Sequence, residues 1–177
     1  NKYLATILSL WDNSFKFLSL SNMEVVAAMR TDMILVNGVH LLNDKKNVGL
    51  CHSSFKRMKE LTRNLLGVYL ECSNNVDKNN KFMQGRIATP ENVKKVLELG
   101  TNYIVLGGNP GRGTTLDKVI ESTKRVKEIV GDKVQVKAAG GIRDYPTAKA
   151  MIEAGASRIG TSSSLLILKG FDELYHF

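Results

Sequence analysis

The sequence predicts an α/β fold: a parallel barrel of the TIM (β/α)8 type, complete or partial, formed by a single domain over residues 1–177. From residue 32 onward, short apolar runs alternate with amphipathic helical stretches. The starts of these runs lie about 24 to 35 residues apart, which is the length of a strand plus a crossover helix. No linker or low-complexity tract divides the 177 residues, and a chain of this length can bury one sizeable core.

The first 21 residues are the least regular part of the pattern. Residues 4–11 have apolar side chains at helical spacing, whereas residues 14–20 partly alternate like a strand. Counting that strand gives about six strand–helix units, while an eight-unit barrel usually takes about 250 residues. Three arrangements stay open: a barrel that lacks two units, a barrel with stretches of chain outside this numbering, or an open, doubly wound sheet.

Five apolar runs predict the remaining strands, and helices fit the segments between them. The runs begin near Asp32, Gly67, Thr101, Lys133 and Ser157. The predicted helix N-caps are Thr89, Thr115 and Asp144, and Gly100 and Gly155 stop the first and third of these helices. Helices also fit residues 22–30 and 54–66, so every predicted strand is followed by a helix.

The chain carries a formal net charge of +8, from 25 basic and 17 acidic residues. The basic residues are spread along the predicted helices, which favours solvated helix faces and a small anionic ligand over nucleic acid. No apolar run approaches the ~20 residues of a membrane span, and the start has no secretory leader. Three histidines and the cysteines Cys51 and Cys72 give neither a metal-binding spacing nor a disulfide framework. The sequence thus predicts a cytoplasmic protein with no cofactor, metal, membrane or nucleic acid partner.

Strand alternation places two ionisable side chains in the middle of the predicted barrel. Near residues 133–139, apolar residues form one strand face and leave Lys137 on the other, and in the run from residue 67 the same alternation leaves Glu71 facing inward. Both lie near the C-terminal strand ends, where α/β active sites are found. Because a partly desolvated lysine can supply a neutral amine for attack on a carbonyl, Lys137 and Glu71 are candidate catalytic residues. A structural ion pair between them is the alternative.

Two glycine-rich turns follow neighbouring strands and lead into helix starts. The first contains Gly140 and Gly141, and the second contains Gly160, Ser162 and Ser163. Backbone N–H groups at such helix starts suit a phosphate, and the last strands of a barrel often carry a phosphate site. We therefore predict that these five residues bind a small phosphorylated ligand, with tight strand-to-helix turns as the plain alternative.

Two further features each allow two interpretations. The glycine-rich segment 107–115 fits neither a Walker loop nor a dinucleotide fingerprint. It is either a mobile loop in which Arg112 reaches an anion or a flexible connection. His40 is either an acid or base at the rim of the site or an exposed loop residue.

Residues 130–164, VGDKVQVKAAGGIRDYPTAKAMIEAGASRIGTSSS, closely resemble the C-terminal part of the class I deoxyribose-phosphate aldolases. The shared motifs are a Val-Lys-Ala-x-Gly-Gly-Ile-Arg strand end, a Met-Ile-Glu-Ala-Gly-Ala helix end and an Arg-Ile-Gly-Thr-Ser-Ser strand. The resemblance implies a (β/α)8 barrel that cleaves 2-deoxyribose 5-phosphate through a lysine Schiff base, without a metal. It also implies that Lys137 is the family's second active-site lysine. The residues that it matches to the phosphate-binding turns are Gly140, Gly141, Gly160, Ser162 and Ser163.

The sequence before residue 130 departs from that family. Where the aldolases carry the Schiff-base lysine, this sequence has Val105. Residues 22–131 instead resemble a poorly characterised group of barrel proteins with a Gly-Asn-Pro-Gly loop. The chain is therefore either a hybrid with a junction near Val130 or a divergent relative.

Three hypotheses follow. The first is an aldolase-like lyase for a small phosphorylated sugar, in which Lys137 itself forms the imine. The second is a barrel that binds a phosphorylated ligand and performs other chemistry with Glu71 or His40 as base. The third is a barrel without catalytic activity. Since an open parallel sheet leaves two edges to be covered, we also expect a homo-oligomer.

Overall fold

The computed structural model describes residues 5–9, 22–29, 31–43, 45, 47, 49, 54–73, 84–108 and 114–175. Strands and helices alternate along this part of the chain. The strands are β1 (Ala5–Ser9), β2 (Met33–Asn37), β3 (Leu65–Glu71), β4 (Tyr103–Gly107), β5 (Gln135–Ala139) and β6 (Arg158–Gly160). The helices are α1 (Asn22–Ala28), α2 (Phe55–Leu61), α3 (Pro90–Glu98), α4 (Leu116–Val130), α5 (Tyr145–Glu153) and α6 (Ser164–Tyr175).

The six strands form one parallel sheet in the order β1-β2-β3-β4-β5-β6. The order never reverses, which excludes the doubly wound arrangement, because that arrangement changes direction at a switch point. The sheet curls into a half-barrel whose edges are β1 and β6. The prediction of a parallel barrel is confirmed in its partial form.

The core of the protein lies between the outer face of this sheet and the helices. The strand side chains that face the helices are all fully buried: Ile34, Val36, Leu66, Val68, Leu70, Ile104, Leu106, Val136 and Ala138. The helices contribute Met23, Val93, Val96, Val126 and Met151 to the same layer. Each of the Val, Leu, Ile and Met side chains stabilises the fold by about 1.5–3 kcal/mol relative to exposure. The alternate strand residues point to the concave side.

The predicted helix starts are confirmed by their caps. The side chains of Thr89, Thr115 and Asp144 accept hydrogen bonds from backbone N–H groups three residues further on, at 3.2, 3.4 and 2.9 Å. Each bond satisfies an N–H group that has no partner inside its helix.

In the first third of the chain, one predicted helix is a strand, and a second helix is shorter than predicted. Residues 5–9 form β1 rather than part of a helix, because this short apolar segment pairs with β2 over its full length, from Ala5 with Met33 to Ser9 with Asn37. The strand predicted over residues 14–20 lies outside the described residues. The helix predicted over 54–66 ends at Leu61, since Leu65 and Leu66 pair with β2 as the first residues of β3.

Candidate functional site

The concave side of the half-barrel holds a cavity of about 540 Å³. Its wall consists of Ile7, Met33, Leu35, Tyr103, Val105, Gln135, Val136, Lys137, Arg158 and Ile159. The residues from β1 and β2 are apolar, whereas both cationic side chains come from β5 and β6. The cavity is therefore apolar on one side and positively charged on the other.

Lys137 lies in this cavity at the level of Val105 on β4 and Arg158 on β6, which are its register partners. A Cβ atom added to Gly160 would lie 2.8 Å from Cε of Lys137 and 3.4 Å from Nζ. The half-buried lysine thus extends over Gly160, toward the C-terminal ends of the strands. No salt bridge joins Lys137 to an acidic side chain among the described residues. The inward orientation that the sequence predicts for Lys137 is confirmed.

The two glycine-rich turns lie side by side, because β5 and β6 pair Ala139 with Gly160. Gly140 and Gly141 have φ angles of 94° and 75°, which glycine adopts without strain. The Thr161 hydroxyl donates a hydrogen bond to the carbonyl of Ile142 at 2.6 Å and accepts one from the N–H of Ser163 at 2.9 Å. The first of these bonds joins the two turns, and the second lies within the second turn. The residues predicted to bind phosphate therefore form one cluster beside Lys137.

Two residues of the cavity wall were missed in the sequence analysis. Arg158 lies next to Lys137, and the ring of Tyr103 covers Gly67, where any Cβ atom would overlap it. Burial raises the pKa of Tyr103 to about 12, while the nearby Arg158 acts to lower it. The Tyr103 hydroxyl therefore stays protonated at neutral pH. The alternation along each strand could have indicated both residues, because the neighbouring residue Ile104 is a core residue and the neighbouring residue Ile159 packs against the core.

Glu71 is buried in an ion pair with Arg86, with 3.0 Å between Oε1 and Nη2. Nη2 of Arg86 also donates to Oδ1 of Asn37 at 3.2 Å, and the backbone N–H of Glu71 donates to the carbonyl of Arg86 at 2.8 Å. The predicted alternative of a Glu71–Lys137 ion pair is wrong. Arg86 gave no signal in the sequence, because it lies in the connection between β3 and α3, outside any periodic segment.

His40 is buried, so its interpretation as an exposed loop residue is wrong. Its backbone N–H donates to Oδ1 of Asn47 at 2.7 Å, and its ring packs against Gly85. Cys72 is also buried, and burial raises the pKa of its thiol to about 11, which disfavours the reactive thiolate. Arg112 and Cys51 lie outside the described residues, as do the two other histidines, His52 and His176.

The described part of the chain holds no group of three or more His, Cys, Asp or Glu side chains that could bind a metal ion. Within the same residues, no helix combines the length and apolarity needed to cross a membrane. A larger cleft of about 730 Å³ lies between α3 and the residues Leu41, Leu42, Asn43, Lys45, Ser54 and Lys56. It contains none of the predicted site residues.

One family model matches residues 10–164, and its description is "Domain of unknown function (DUF7916)". The match runs through Val130, where the two resemblances in the sequence meet. A single family therefore accounts for the segments on both sides of that residue.

Curated relatives carry the name deoxyribose-phosphate aldolase. The one from Bdellovibrio bacteriovorus is 45% identical over 78 residues, which are 44% of this chain and 34% of that protein. The one from Staphylococcus carnosus is 29% identical over 157 residues, which are 86% of this chain and 68% of that protein. The match to the first relative thus spans about a third of that protein's length. The resemblance to deoxyribose-phosphate aldolases is confirmed.

A solved structure described as "QR15, an Aldolase" has the same fold. It superposes with a TM-score of 0.61 at 23% sequence identity, and the superposition covers 97% of this chain and 73% of that chain. The half-barrel therefore corresponds to part of a larger α/β barrel.

Proposed function

Because this chain belongs to the family described as a domain of unknown function, DUF7916, we propose its function from the site itself: an aldolase-like lyase for a small phosphorylated sugar. The substrate would be of the kind of 2-deoxyribose 5-phosphate. Lys137 forms the imine with the substrate carbonyl, and the turns at Gly140–Gly141 and Gly160–Ser163 bind the phosphate.

The observation that carries this proposal is the position of the Lys137 amine over Gly160. Gly160 is the last residue of β6, and the second phosphate turn begins there. A sugar phosphate bound at the turns would therefore extend into the cavity past the amine. Holding a carbonyl and an amine in one cavity in this way replaces a bimolecular encounter with a local one.

The first chemical step needs only groups that lie in the cavity. The Lys137 amine attacks the carbonyl carbon in its unprotonated form and a C–N bond forms. Its two N–H hydrogens then pass to the carbonyl oxygen, the C–O bond breaks, and the oxygen leaves as water to give the imine. The protonated hydroxyl of Tyr103 and the guanidinium of Arg158 are the donors that line the same space. They can stabilise negative charge on the carbonyl oxygen during the attack.

Trapping with borohydride tests the imine directly. The protein is incubated with acetaldehyde or 2-deoxyribose 5-phosphate and with borohydride, and its mass is then measured. We expect one reduced adduct in the parent chain and none in Lys137→Met, which keeps the side-chain length and removes the amine. Lys133→Met is the matched control, since Lys133 is exposed just before β5, and it should give the parent's yield.

Two results would contradict the proposal. An absence of adduct in the parent chain would exclude imine chemistry, and an equal adduct in Lys137→Met would assign it to another lysine. Peptide mapping of the reduced adduct identifies the modified residue in the second case.

A second candidate is a barrel that binds a phosphorylated ligand and has other or no catalytic activity. The observation that favours it is Val105, which is the register partner of Lys137 at the position where the aldolases carry their Schiff-base lysine. In this candidate Glu71 would act as base only after release from Arg86. Binding of a sugar phosphate without any trapped adduct would support it.

A further inference from the structure

Tyr69 is a polar side chain of β3 that the proposed imine chemistry does not use. It is half-buried and pairs in register with Val105 of β4, which lines the cavity. Because residues two apart share one face of a strand, Gly107 lies on the same concave side as Val105. A Cβ atom added to Gly107 would lie 3.1 Å from the Tyr69 hydroxyl oxygen and 3.4 Å from Cε2. The phenol of Tyr69 therefore extends over the C-terminal end of β4.

The Tyr69 hydroxyl lies beside the start of the first glycine-rich turn. The same added Cβ atom would lie 2.8 Å from the carbonyl oxygen of Ala139, the residue just before that turn. The turn itself approaches the end of β4, since a Cβ atom added to Gly140 would lie 3.4 Å from the carbonyl oxygen of Gly108. The Lys137 side chain extends to the other side of β5, over the end of β6. The phenol and the amine thus lie on either side of Ala139.

Small residues form the concave surface between the phenol and the amine. Gly107, Ala139 and Gly160 are the last residues of β4, β5 and β6, and none of them has a side chain beyond Cβ. These three strand ends leave room for a ligand between Tyr69 and Lys137. A ligand whose phosphate is bound at the turns would have its carbon chain over these strand ends.

From this arrangement we propose that Tyr69 is a ligand-binding residue, whose hydroxyl forms a hydrogen bond with the hydroxyl on the ligand carbon next to the phosphorylated carbon. The proposal rests on the proposed function for the phosphate turns, and it narrows the ligand class to sugar and polyol phosphates that carry this hydroxyl. A hydroxyl suits the position better than an anionic oxygen, because the nearby carbonyl oxygen of Ala139 accepts a hydrogen bond from a hydroxyl and repels an anion. A phenol can both donate and accept, so Tyr69 can bind the ligand in addition to a partner within the protein.

A pair of probes without a carbonyl tests this role independently of the imine. The probes are glycerol 3-phosphate and 3-hydroxypropyl phosphate, which differ only in the hydroxyl on the carbon next to the phosphorylated carbon. Their affinities for the parent chain are measured by titration calorimetry at one fixed ionic strength. We expect the hydroxyl to strengthen binding about fivefold, as for one neutral hydrogen bond. Equal affinities of the two probes would overturn the proposal.

Two variants that each lose one phenol oxygen assign the difference to a residue. Tyr69→Phe keeps the ring over Gly107 and should remove the difference between the two probes. Tyr175→Phe loses the same atom at the exposed end of α6, and it should keep the full difference. A general loss of packing in Tyr69→Phe would weaken both probes alike and preserve their ratio. A ratio in Tyr69→Phe that equals the parent's would therefore overturn the proposal.

Borohydride trapping of the parent chain with acetaldehyde distinguishes this inference from the proposed function. A probe difference that depends on Tyr69 without any adduct supports the role of Tyr69 and contradicts imine formation. An adduct without any probe difference supports the imine and overturns the role of Tyr69. If neither probe binds the parent chain, the phosphate site is contradicted and the role of Tyr69 is overturned with it.

Discussion

At the scale of single residues, glycines leave the space that neighbouring side chains occupy in this site. Gly160 has no Cβ atom where the end of Lys137 lies, and Gly67 has none where the ring of Tyr103 lies. Gly140 and Gly141 instead supply positive φ angles for the first turn. Sequence reasoning identified the turn glycines, because such turns need them, whereas Gly67 becomes informative only once the strand register is known.

Gly141 offers a direct test of the phosphate site, because a Cβ atom there would meet only Cδ1 of Leu116, at 3.9 Å. Both Asp and Asn tolerate positive φ better than other residues, at a cost of about 1 kcal/mol. Gly141→Asp places a carboxylate at the turn, so calorimetry should show at least about tenfold weaker binding of 2-deoxyribose 5-phosphate. Gly141→Asn has nearly the same shape without the charge and should keep most of the affinity. If the two variants bind equally well, the phosphate does not lie at this turn.

Gly160→Ala tests the placement of the Lys137 amine. The new methyl group would lie 2.8 Å from Cε of Lys137 and 3.0 Å from Cβ of Ala139. Gly160 has no positive φ, so its backbone accepts alanine. The lysine must move aside, and a shift of about 1 Å can lower a rate by up to about 100-fold. We expect slower imine trapping, together with a small loss of melting temperature from the close contact with Ala139. A folded variant that is trapped at the parent rate would show that the amine works from another position.

At the scale of the elements, helices with explicit end signals were predicted well and short apolar segments were not. The caps of α3, α4 and α5 are side chains whose function is local, so sequence alone is enough to place them. β1 owes its conformation to pairing with β2, a partner about 28 residues away in sequence. The orientation of Lys137, in contrast, was predicted correctly, because it follows from the alternation within one strand. Arg86 was not, because its role depends on contact with Glu71 across a connection.

The connection that carries Arg86 should be a sensitive element of the fold. Arg86→Met removes the cation from the buried pair with Glu71, and loss of one partner from such a pair costs about 3–5 kcal/mol. The matched control is Arg125→Met, which breaks an exposed pair with Glu121 on α4 and should cost less than about 1 kcal/mol. Urea unfolding measures both free energies. Similar small losses in the two variants would mean that the buried pair contributes little to stability.

At the scale of the whole molecule, the half-barrel leaves apolar surface uncovered on β1 and on α6. Ile7 on the concave side of β1 is 67% exposed. On α6 the exposed leucine side chains are Leu165, Leu166, Leu168 and Leu174. Ile167 packs on the core and Phe171 against the ring of Tyr145, so only one side of α6 is covered. Contiguous apolar surface of this kind is typical of interfaces.

We therefore expect the chain to self-associate in solution, with the exposed side of α6 in the interface. Sedimentation velocity of the parent chain should give a mass of at least two copies. Leu165→Glu combined with Leu168→Glu places charges on that side, three residues apart on one stripe of the helix, and should shift the mass to one copy. Lys169→Glu adds negative charge at an exposed polar position of the same helix, so it should leave the association intact. This expectation would be contradicted by a monomeric parent chain or by a double variant that stays associated. If the double variant stays associated, the open sheet edges are the remaining candidate interface.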